Sequence, residues 1–333
     1  MATRILSGVQ PSGKLHLGNY FGAVKKHIAL QDELPSAERF YFIADLHSLT
    51  TVQNARRLRE YVMDAVLDYL ALGLDPARSV LFRQSDVPEV LDLAWILSCV
   101  TGMGLLERAH AYKDKMARGI KPSVGLFYYP VLMAADILIY KSSLVPVGED
   151  QVQHIEMTQD MAGYFNTTYR TEVFVRPEAL MSAAPRVPGT DGEKMSKSYG
   201  NTIDLAADER ELKKLIMGIK TDSTPVEAPK NPDTETVFAL YSLFAAPAEK
   251  EALAARYRAG GFGYGEAKKL LLEKAVAYFA PYRRRRAEIA AEPGYVEKVL
   301  NDGAARARAV ARETLDEVKR ACGLLQGFSK PPD

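Results

Sequence analysis

Cysteine is nearly absent from this sequence of 333 residues, which contains only Cys99 and Cys322. Two thiols cannot supply the four ligands of a thiolate zinc site or an iron–sulfur cluster, so we expect neither kind of centre. Both cysteines lie in helical patterns, far apart in the chain. We therefore interpret them as reduced core thiols of a cytoplasmic protein.

Long apolar runs and a charge excess are also missing. A membrane helix needs roughly 18 apolar residues without a charge, and the longest candidate, residues 124–140, contains Asp136. The first residues have a strand pattern instead of a basic region before an apolar one, so we expect no signal peptide. Since 43 Lys and Arg against 42 Asp and Glu leave a net charge of +1, any nucleic-acid surface must be a local patch.

The sequence does contain a regular alternation of apolar strands and helical patterns, in an ordinary globular composition of 47% hydrophobic residues. Short apolar runs predict strands at residues 4–7, 39–44, 79–84 and 144–147. Helical periodicity predicts helices at residues 20–34, 54–73, 89–99, 105–118, 124–140 and 152–165. This order predicts an α/β fold, a doubly wound parallel sheet of the Rossmann type.

The pattern changes near residues 185–205, and we expect no convincing strand after Val175. Helical patterns follow, at residues 208–218, 236–245, 248–259, 266–290 and 295–322. We predict a Rossmann-type domain at residues 1–190 and a helical domain at residues 202–295. A C-terminal helix at residues 296–333 is expected to pack back on the first domain, and residues 330–333 are expected to fray.

Residues 8–19 have the pattern of a phosphate-binding turn. A strand, the turn Pro11-Ser12-Gly13 and a helix that begins near Gly18 follow one another. Free N–H groups and the positive end of a helix dipole can hold a phosphate there, and glycine lets the backbone come close. An ordinary strand-to-helix turn would have the same pattern.

Polar residues follow the predicted strands, where ligands bind in such sheets. They are Gln10, Asp45, His47, Gln84 and Ser85. Residues 148–151 (Gly-Glu-Asp-Gln) lie at another strand end, where they could bind an ammonium group or ribose hydroxyls, or cap the next helix. His16 and His47 are candidates for ligand contact by position, whereas His110 and His154 have no such support.

Asp136 is the one charged residue between positions 124 and 140. Tyr129, Met133 and Asp136 are three or four residues apart, so they share one helix face. They could form a pocket wall for an aromatic ligand that carries a hydrogen-bond donor. Because an unpaired carboxylate in apolar surroundings is costly, a structural aspartate bound to backbone or to an arginine is an equal alternative.

Residues 194–198 (Lys-Met-Ser-Lys-Ser) lie in a glycine-rich loop that we expect to be mobile. Lysine is a flexible cation with three donors, and a closing loop can stabilise the charge on departing pyrophosphate. A solvated basic loop is the alternative. We interpret residues 261–265 as a turn between helices, since no strand precedes their glycines. Arg283–Arg286 form a charge run that is usually solvated but could contact RNA together with Lys213, Lys214, Lys268 and Lys269.

Two of these stretches together resemble the two signatures of class I aminoacyl-tRNA synthetases: Pro11-Ser12-Gly13 with His16-Leu17-Gly18-Asn19, and the lysine loop. With residues 9–13, 133–136 and 147–151, the chain resembles the bacterial tryptophanyl-tRNA synthetases from about residue 4 to residue 322. The resemblance implies a homodimer that activates tryptophan with ATP and Mg²⁺ and then charges its tRNA. The Mg²⁺ would be held by the ATP phosphates, and the helical domain would bind the anticodon.

The resemblance also implies roles for individual residues. ATP would contact Gln10, Pro11, Ser12, His16, Gly18, Asn19, Gly148, Glu149, Asp150, Val187, Lys194, Met195, Ser196, Lys197 and Ser198. Tryptophan would contact Asp136, Gly8, His47, Tyr129, Met133, Val145, Val147 and Gln151. Asp136 would accept the indole N–H, and Tyr129 and Gln151 would lie towards the amino group. Catalysis would depend on Lys194, Lys197, Gln10 and Asn19.

Three positions depart from the family pattern, and three other functions stay open. Asn19 replaces a histidine found in many class I relatives, while Leu6 and Ala111 stand where an aromatic and a polar residue can occur. Asp136 could accept a hydrogen bond from a phenol, as a tyrosine enzyme would require. A small-molecule adenylyltransferase is disfavoured by the helical domain and the lysine loop. An inactive RNA-binding paralogue is disfavoured by the intact lysines and Asp136.

Overall fold

The computed structural model describes residues 3–109, 123–181 and 186–325. It contains a five-stranded parallel sheet of order β3-β2-β1-β4-β5. The strands are β1 (Arg4–Val9), β2 (Glu38–Ile43), β3 (Val80–Arg83), β4 (Leu144–Val147) and β5 (Glu178–Met181). Because the order reverses between β1 and β4, the predicted doubly wound fold is confirmed.

Helices cover both faces of the sheet and form the C-terminal half of the chain. In the first half they are α1 (Leu17–Asn19), α2 (Lys25–Glu33), α3 (Asp45–Ser48), α4 (Ala55–Leu72), α5 (Glu89–Val100), α6 (Met103–Glu107), α7 (Val124–Ile139) and α8 (Val152–Thr168). In the second half they are α9 (Glu209–Met217), α10 (Thr236–Ser242), α11 (Pro247–Ala259), α12 (Tyr264–Ala290) and α13 (Pro293–Ala321). Within the described ranges, no helix has both the length and the apolar character to cross a membrane.

The fifth strand contradicts the expectation that no strand follows Val175. β5 consists of Glu-Ala-Leu-Met, four residue types that favour helices, and it contains no β-branched residue. Its strand conformation comes from parallel pairing with β4 along all four residues. Tertiary pairing therefore overrides a local preference that points the other way.

The sheet opens between the neighbouring strands β1 and β4. β1 pairs with β2 along its whole length, but with β4 it pairs only at Ile5 and Leu144. Pro146 has no N–H to donate to a ladder, and it lies two residues beyond Leu144, the one residue of β4 that pairs with β1. The two strands therefore leave a crevice between their carboxyl halves, where a ligand site is expected in this fold.

A buried histidine connects α2 to the sheet. His27 Nε2 lies 3.1 Å from the Ser7 hydroxyl of β1, and its Nδ1 lies 3.0 Å from the Tyr69 hydroxyl of α4. Its carbonyl oxygen accepts a hydrogen bond from Tyr41 of β2 at 2.8 Å. Burial lowers the pKa of His27 to about 4, so the ring is neutral at physiological pH.

The long helix α13 lies against β3 and α5. A Cβ at Gly303 would come within 1.9 Å of the Leu81 carbonyl oxygen, so only glycine permits this approach. Arg308 and Arg312 of α13 donate to Glu89 of α5 at 2.9 Å. The helix predicted at the C-terminus thus contacts the first half of the chain as far as the structure describes it.

The arginine run, Arg283–Arg286, is not the fully solvated helix face that we expected. Arg286 Nε donates to Asp68 Oδ1 at 2.7 Å and Arg286 Nη2 donates to Asp64 at 2.5 Å, which joins α12 to α4. Lys268 donates to the carbonyl oxygens of Met217 and Ile219. These two cations therefore hold protein groups, while Arg284, Arg285, Lys213, Lys214 and Lys269 are exposed.

The expectation of two core thiols is wrong. Cys99 is exposed and Cys322 is half-buried, and both are free. Cys99 lies on a face of α5 that also exposes Leu91 and Trp95, although the sequence of α5 is apolar nearly all round. The predicted helix at residues 105–118 is described only as far as residue 109. Residues 110–118, with His110 and Ala111, lie outside the described residues, as do residues 330–333.

Candidate active site

A cavity of about 460 Å³ occupies the crevice between β1 and β4. Its walls include every residue predicted to contact tryptophan: Gly8, His47, Tyr129, Met133, Asp136, Val145, Val147 and Gln151. Gln10 and Gly148, from the predicted ATP set, also line it. The strand ends and the apolar helix α7 therefore converge on one space of the size that small-molecule sites have.

Asp136 is buried in the wall of this cavity, with 2% of its surface exposed. Gln84 Nε2 donates to both carboxylate oxygens at 2.9 Å, and His47 Nε2 lies 2.9 Å from Oδ2. Burial raises the pKa of Asp136, and the hydrogen bonds from His47 and Gln84 oppose that rise. The partners of Asp136 are thus the side chains of Gln84 and His47. They are not the backbone groups or the arginine that a purely structural aspartate was expected to bind.

Gln84 is a site residue whose role sequence reasoning missed. It is 1% exposed, and besides holding Asp136 it accepts a hydrogen bond from the His47 backbone N–H at 3.3 Å. The available signal was its position directly after β3, at the carboxyl edge of the sheet. A single amide thus orients the Asp136 carboxylate and the short helix α3, which carries His47.

Tyr129 and His154 also line the cavity. The Tyr129 hydroxyl lies 3.0 Å from His154 Nε2, and the two rings meet edge to face. Burial raises the pKa of Tyr129 to about 12, so this hydroxyl is neutral and can both donate and accept. His154, which the sequence left without support, lies in the first turn of α8, directly after residues 148–151.

His16 and Asn19 begin α1 by capping one another. His16 Nδ1 accepts a hydrogen bond from the Asn19 backbone N–H at 3.3 Å, and Asn19 Oδ1 accepts one from the His16 N–H. Burial, and then the nearby Lys197, lower the pKa of His16 to about 4. The ring is therefore neutral at physiological pH, as an acceptor in this cap must be.

The structure brings the two signature stretches together. Lys197 Nζ lies 3.4 Å from the Ser12 hydroxyl, and the Gly18 N–H donates to Met195 Sδ at 3.3 Å. Burial lowers the pKa of Lys197, an effect that Asp204 and Asp68 oppose. The turn, the start of α1 and the lysine loop therefore surround one region next to the mouth of the cavity.

Two residues of the predicted ATP set have buried side chains. Val187 and Met195 are each 4% exposed, and the Met195 N–H donates to the Val187 carbonyl oxygen at 3.0 Å. Any nucleotide contact there would use backbone atoms. Lys194, Ser198, Glu149 and Asp150 are exposed.

The described parts of the chain contain no group of three or more His, Cys, Asp or Glu side chains placed to hold a metal ion.

Comparisons with known proteins match this chain to one family over most of its length. Residues 1–280 match the family model described as tRNA synthetases class I (W and Y). A tryptophan–tRNA ligase of Rhodopirellula baltica is 55% identical over 96% of this chain and 99% of that relative, and one of Fusobacterium nucleatum is 52% identical over 97% and 98%. The crystal structure of the tryptophanyl-tRNA synthetase of Campylobacter jejuni complexed with ADP and tryptophan superposes with a TM-score of 0.91 at 46% identity, covering 97% of this chain and all of that one.

Proposed function

The chain belongs to the class I tRNA synthetases of the tryptophan and tyrosine family, and we propose that it activates L-tryptophan with ATP and ligates it to tRNA. The observation that carries this proposal is the buried carboxylate of Asp136, which faces a cavity beside the joined signatures. The tryptophan–tRNA ligases at 52% and 55% identity support tryptophan as the amino acid.

Asp136 accepts the indole N–H of the substrate. Gln84 and His47 hold the carboxylate in one orientation, and Met133 with Val145 and Val147 contacts the ring. A hydrogen bond to a charged acceptor contributes about 1.5–3 kcal/mol. A substrate side chain without a donor would cover this buried carboxylate without adding a hydrogen bond to those from Gln84 and His47, which is the physical basis for selection.

The carboxylate of tryptophan attacks the α-phosphorus of ATP, and pyrophosphate leaves. The attacking group is already an anion, so the protein needs no base; it contributes positioning and charge stabilisation. Lys197, held against Ser12 in the turn before α1, and Lys194 stabilise the charge on the departing pyrophosphate. Gln10 and Asn19 position the nucleotide. Mg²⁺, if held by the ATP phosphates as the resemblance implies, would neutralise part of their charge.

The remaining ATP contacts surround this pair of lysines. They comprise Pro11, Ser12, His16, Gly18, Gly148, Glu149, Asp150, Val187, Met195, Ser196 and Ser198. His16 acts mainly by shaping the start of α1, since its Nδ1 is engaged in the cap. The amino group of tryptophan lies towards Tyr129 and Gln151.

We infer a division into a catalytic domain at residues 1–190, a helical anticodon-binding domain at residues 202–295 and a C-terminal segment from residue 296, formed largely by α13, that packs on the first domain. The exposed residues Arg284, Arg285 and Lys269 of α12 are candidates for contact with the tRNA backbone. We place this reaction in the cytoplasm, where tRNA is charged.

The protein acts as a homodimer through the exposed face of α5. Leu91, Trp95 and Cys99 are spaced by four residues, so they share this face, and Trp95 is 70% exposed. Because Trp95 is the only tryptophan in the chain, its emission spectrum should shift to shorter wavelength as a dimer forms. A stable and active monomer in sedimentation velocity would contradict the dimer.

The activity is tested by amino-acid-dependent exchange of pyrophosphate into ATP, with tryptophan and tyrosine side by side. We expect exchange with tryptophan alone. Exchange with tyrosine alone would assign the chain to the sister activity. Exchange with neither amino acid would refute the proposal and favour an adenylyltransferase with another acceptor or an RNA-binding role.

A further inference from the structure

We propose that Asn201 is the positioning residue of the lysine loop, and that it sets the backbone from which Lys194 and Lys197 reach the pyrophosphate. The inference rests on the proposed function, because it assigns those lysines to the activation step. Asn201 lies outside the loop sequence itself and has no role in the site as described so far.

The side chain of Asn201 holds three points of the loop. Its Oδ1 accepts a hydrogen bond from the Ser196 backbone N–H at 2.8 Å. Its Nδ2 donates to the Lys194 carbonyl oxygen at 3.2 Å and to Asp191 Oδ1 at 2.7 Å. With only 2% of the residue exposed, these bonds are shielded from water, and losing one partner would leave a buried polar group unpaired.

Two bonded groups, the Lys194 carbonyl and the Ser196 N–H, lie on either side of Met195. The Met195 side chain is buried, and its sulfur accepts a hydrogen bond from the Gly18 N–H. Asn201 therefore fixes the loop on both sides of the residue that contacts the start of α1. Lys197 follows directly, and its ammonium group lies at Ser12.

The residues around Asn201 leave room for its side-chain amide and form hydrogen bonds with it. A Cβ at Gly189 would come within 2.2 Å of Asn201 Nδ2, so a larger residue there would displace the amide. The hydrogen bond from Asn201 lowers the pKa of Asp191, which keeps that carboxylate charged and accepting. The Asn201 carbonyl oxygen in turn accepts from the Thr190 N–H at 3.0 Å. Hydrogen bonds of Asn201 thus connect the two ends of the lysine loop, residues 190–191 and residue 201.

The first test is Asn201→Ala in the full chain, measured by tryptophan-dependent pyrophosphate exchange and by equilibrium binding of tryptophan. We expect kcat to fall on the order of a hundredfold, since misplacing a reacting group by about 1 Å costs that much. The dissociation constant for tryptophan should stay within about twofold, because the cavity is lined by other residues. Asn231→Ala is the matched control: Asn231 also caps a turn but is exposed and distant in sequence from the loop.

A second variant displaces the amide without removing it. Gly189→Ala should lower kcat in the same way, and the double variant Gly189→Ala/Asn201→Ala should be no worse than Asn201→Ala alone, because the clash disappears with the amide. Asn201→Ala activity equal to that of the unmodified protein would overturn the inference, and so would a matched loss of tryptophan affinity. If the unmodified protein itself catalyses no exchange, the proposed function fails instead.

Discussion

Replacing Asp136 by asparagine tests the centre of the tryptophan site. In the native cavity, Gln84 Nε2 donates to both carboxylate oxygens and His47 Nε2 lies at Oδ2. An asparagine offers one acceptor oxygen and one NH₂ group, so Gln84 Nε2, the indole N–H and His47 Nε2 compete for a single oxygen unless the His47 ring changes tautomer. An unsatisfied buried group costs about 1–3 kcal/mol, and the change from a charged to a neutral acceptor costs about 1 kcal/mol more.

The expected loss is therefore about 2–4 kcal/mol, which is a roughly 30-fold to 1000-fold weaker affinity for tryptophan. Isothermal titration of tryptophan into Asp136→Asn measures it, with Asp92→Asn as the control, since Asp92 is exposed and paired with Lys319. ATP affinity without tryptophan should hardly change. An affinity for tryptophan within about threefold of the native value would refute the role of Asp136; an equal loss of ATP affinity would point to damage of the fold.

Three further outcomes are expected. Lys197→Ala should lower kcat for pyrophosphate exchange by on the order of 10²–10³ while tryptophan affinity hardly changes; a purely weaker tryptophan affinity would contradict it. His27 is neutral when folded, with a pKa of about 4, but has an ordinary pKa of 6.5 when unfolded, so unfolding binds a proton as the pH falls below 6.5. Urea unfolding should thus show about 2 kcal/mol less stability from His27 at pH 5 than at pH 7.5, and His27→Gln should remove that slope. Gly303→Ala should destabilise the fold by about 1–3 kcal/mol or more in thermal unfolding, because its methyl group meets the Leu81 carbonyl; an unchanged melting temperature would show that α13 can move away.

Much of the fold could be predicted because local chemistry and tertiary structure agree there. β4 has the predicted bounds, and α4 begins after Asn54, whose side chain accepts from the Arg57 N–H, and ends at Gly73 with a positive φ of 112°. In β5 the two disagree: its residues favour a helix, and only the neighbouring strand makes it extended.

The candidate site was predictable where a residue follows a strand or repeats along one helix face. Tyr129, Met133 and Asp136 were found by that spacing. The position of Gln84 after β3 was predicted in this way. Its hydrogen bonds to Asp136, and the contact of His154 with Tyr129, depend on which groups lie within about 3 Å, which periodicity does not contain. The exposure of Cys99 was hidden for a related reason, since an apolar helix does not reveal which face is left uncovered.

The single paired position between β1 and β4 divides the sheet into a three-stranded and a two-stranded block. Within the sheet, these blocks have little direct connection beyond Ile5 and Leu144. A substrate that contacts Gly8 on one block and Val147 on the other connects the two blocks across the cavity. Substrate should therefore make the two blocks unfold together, so that bound amino acid raises the cooperativity of the sheet as well as its stability.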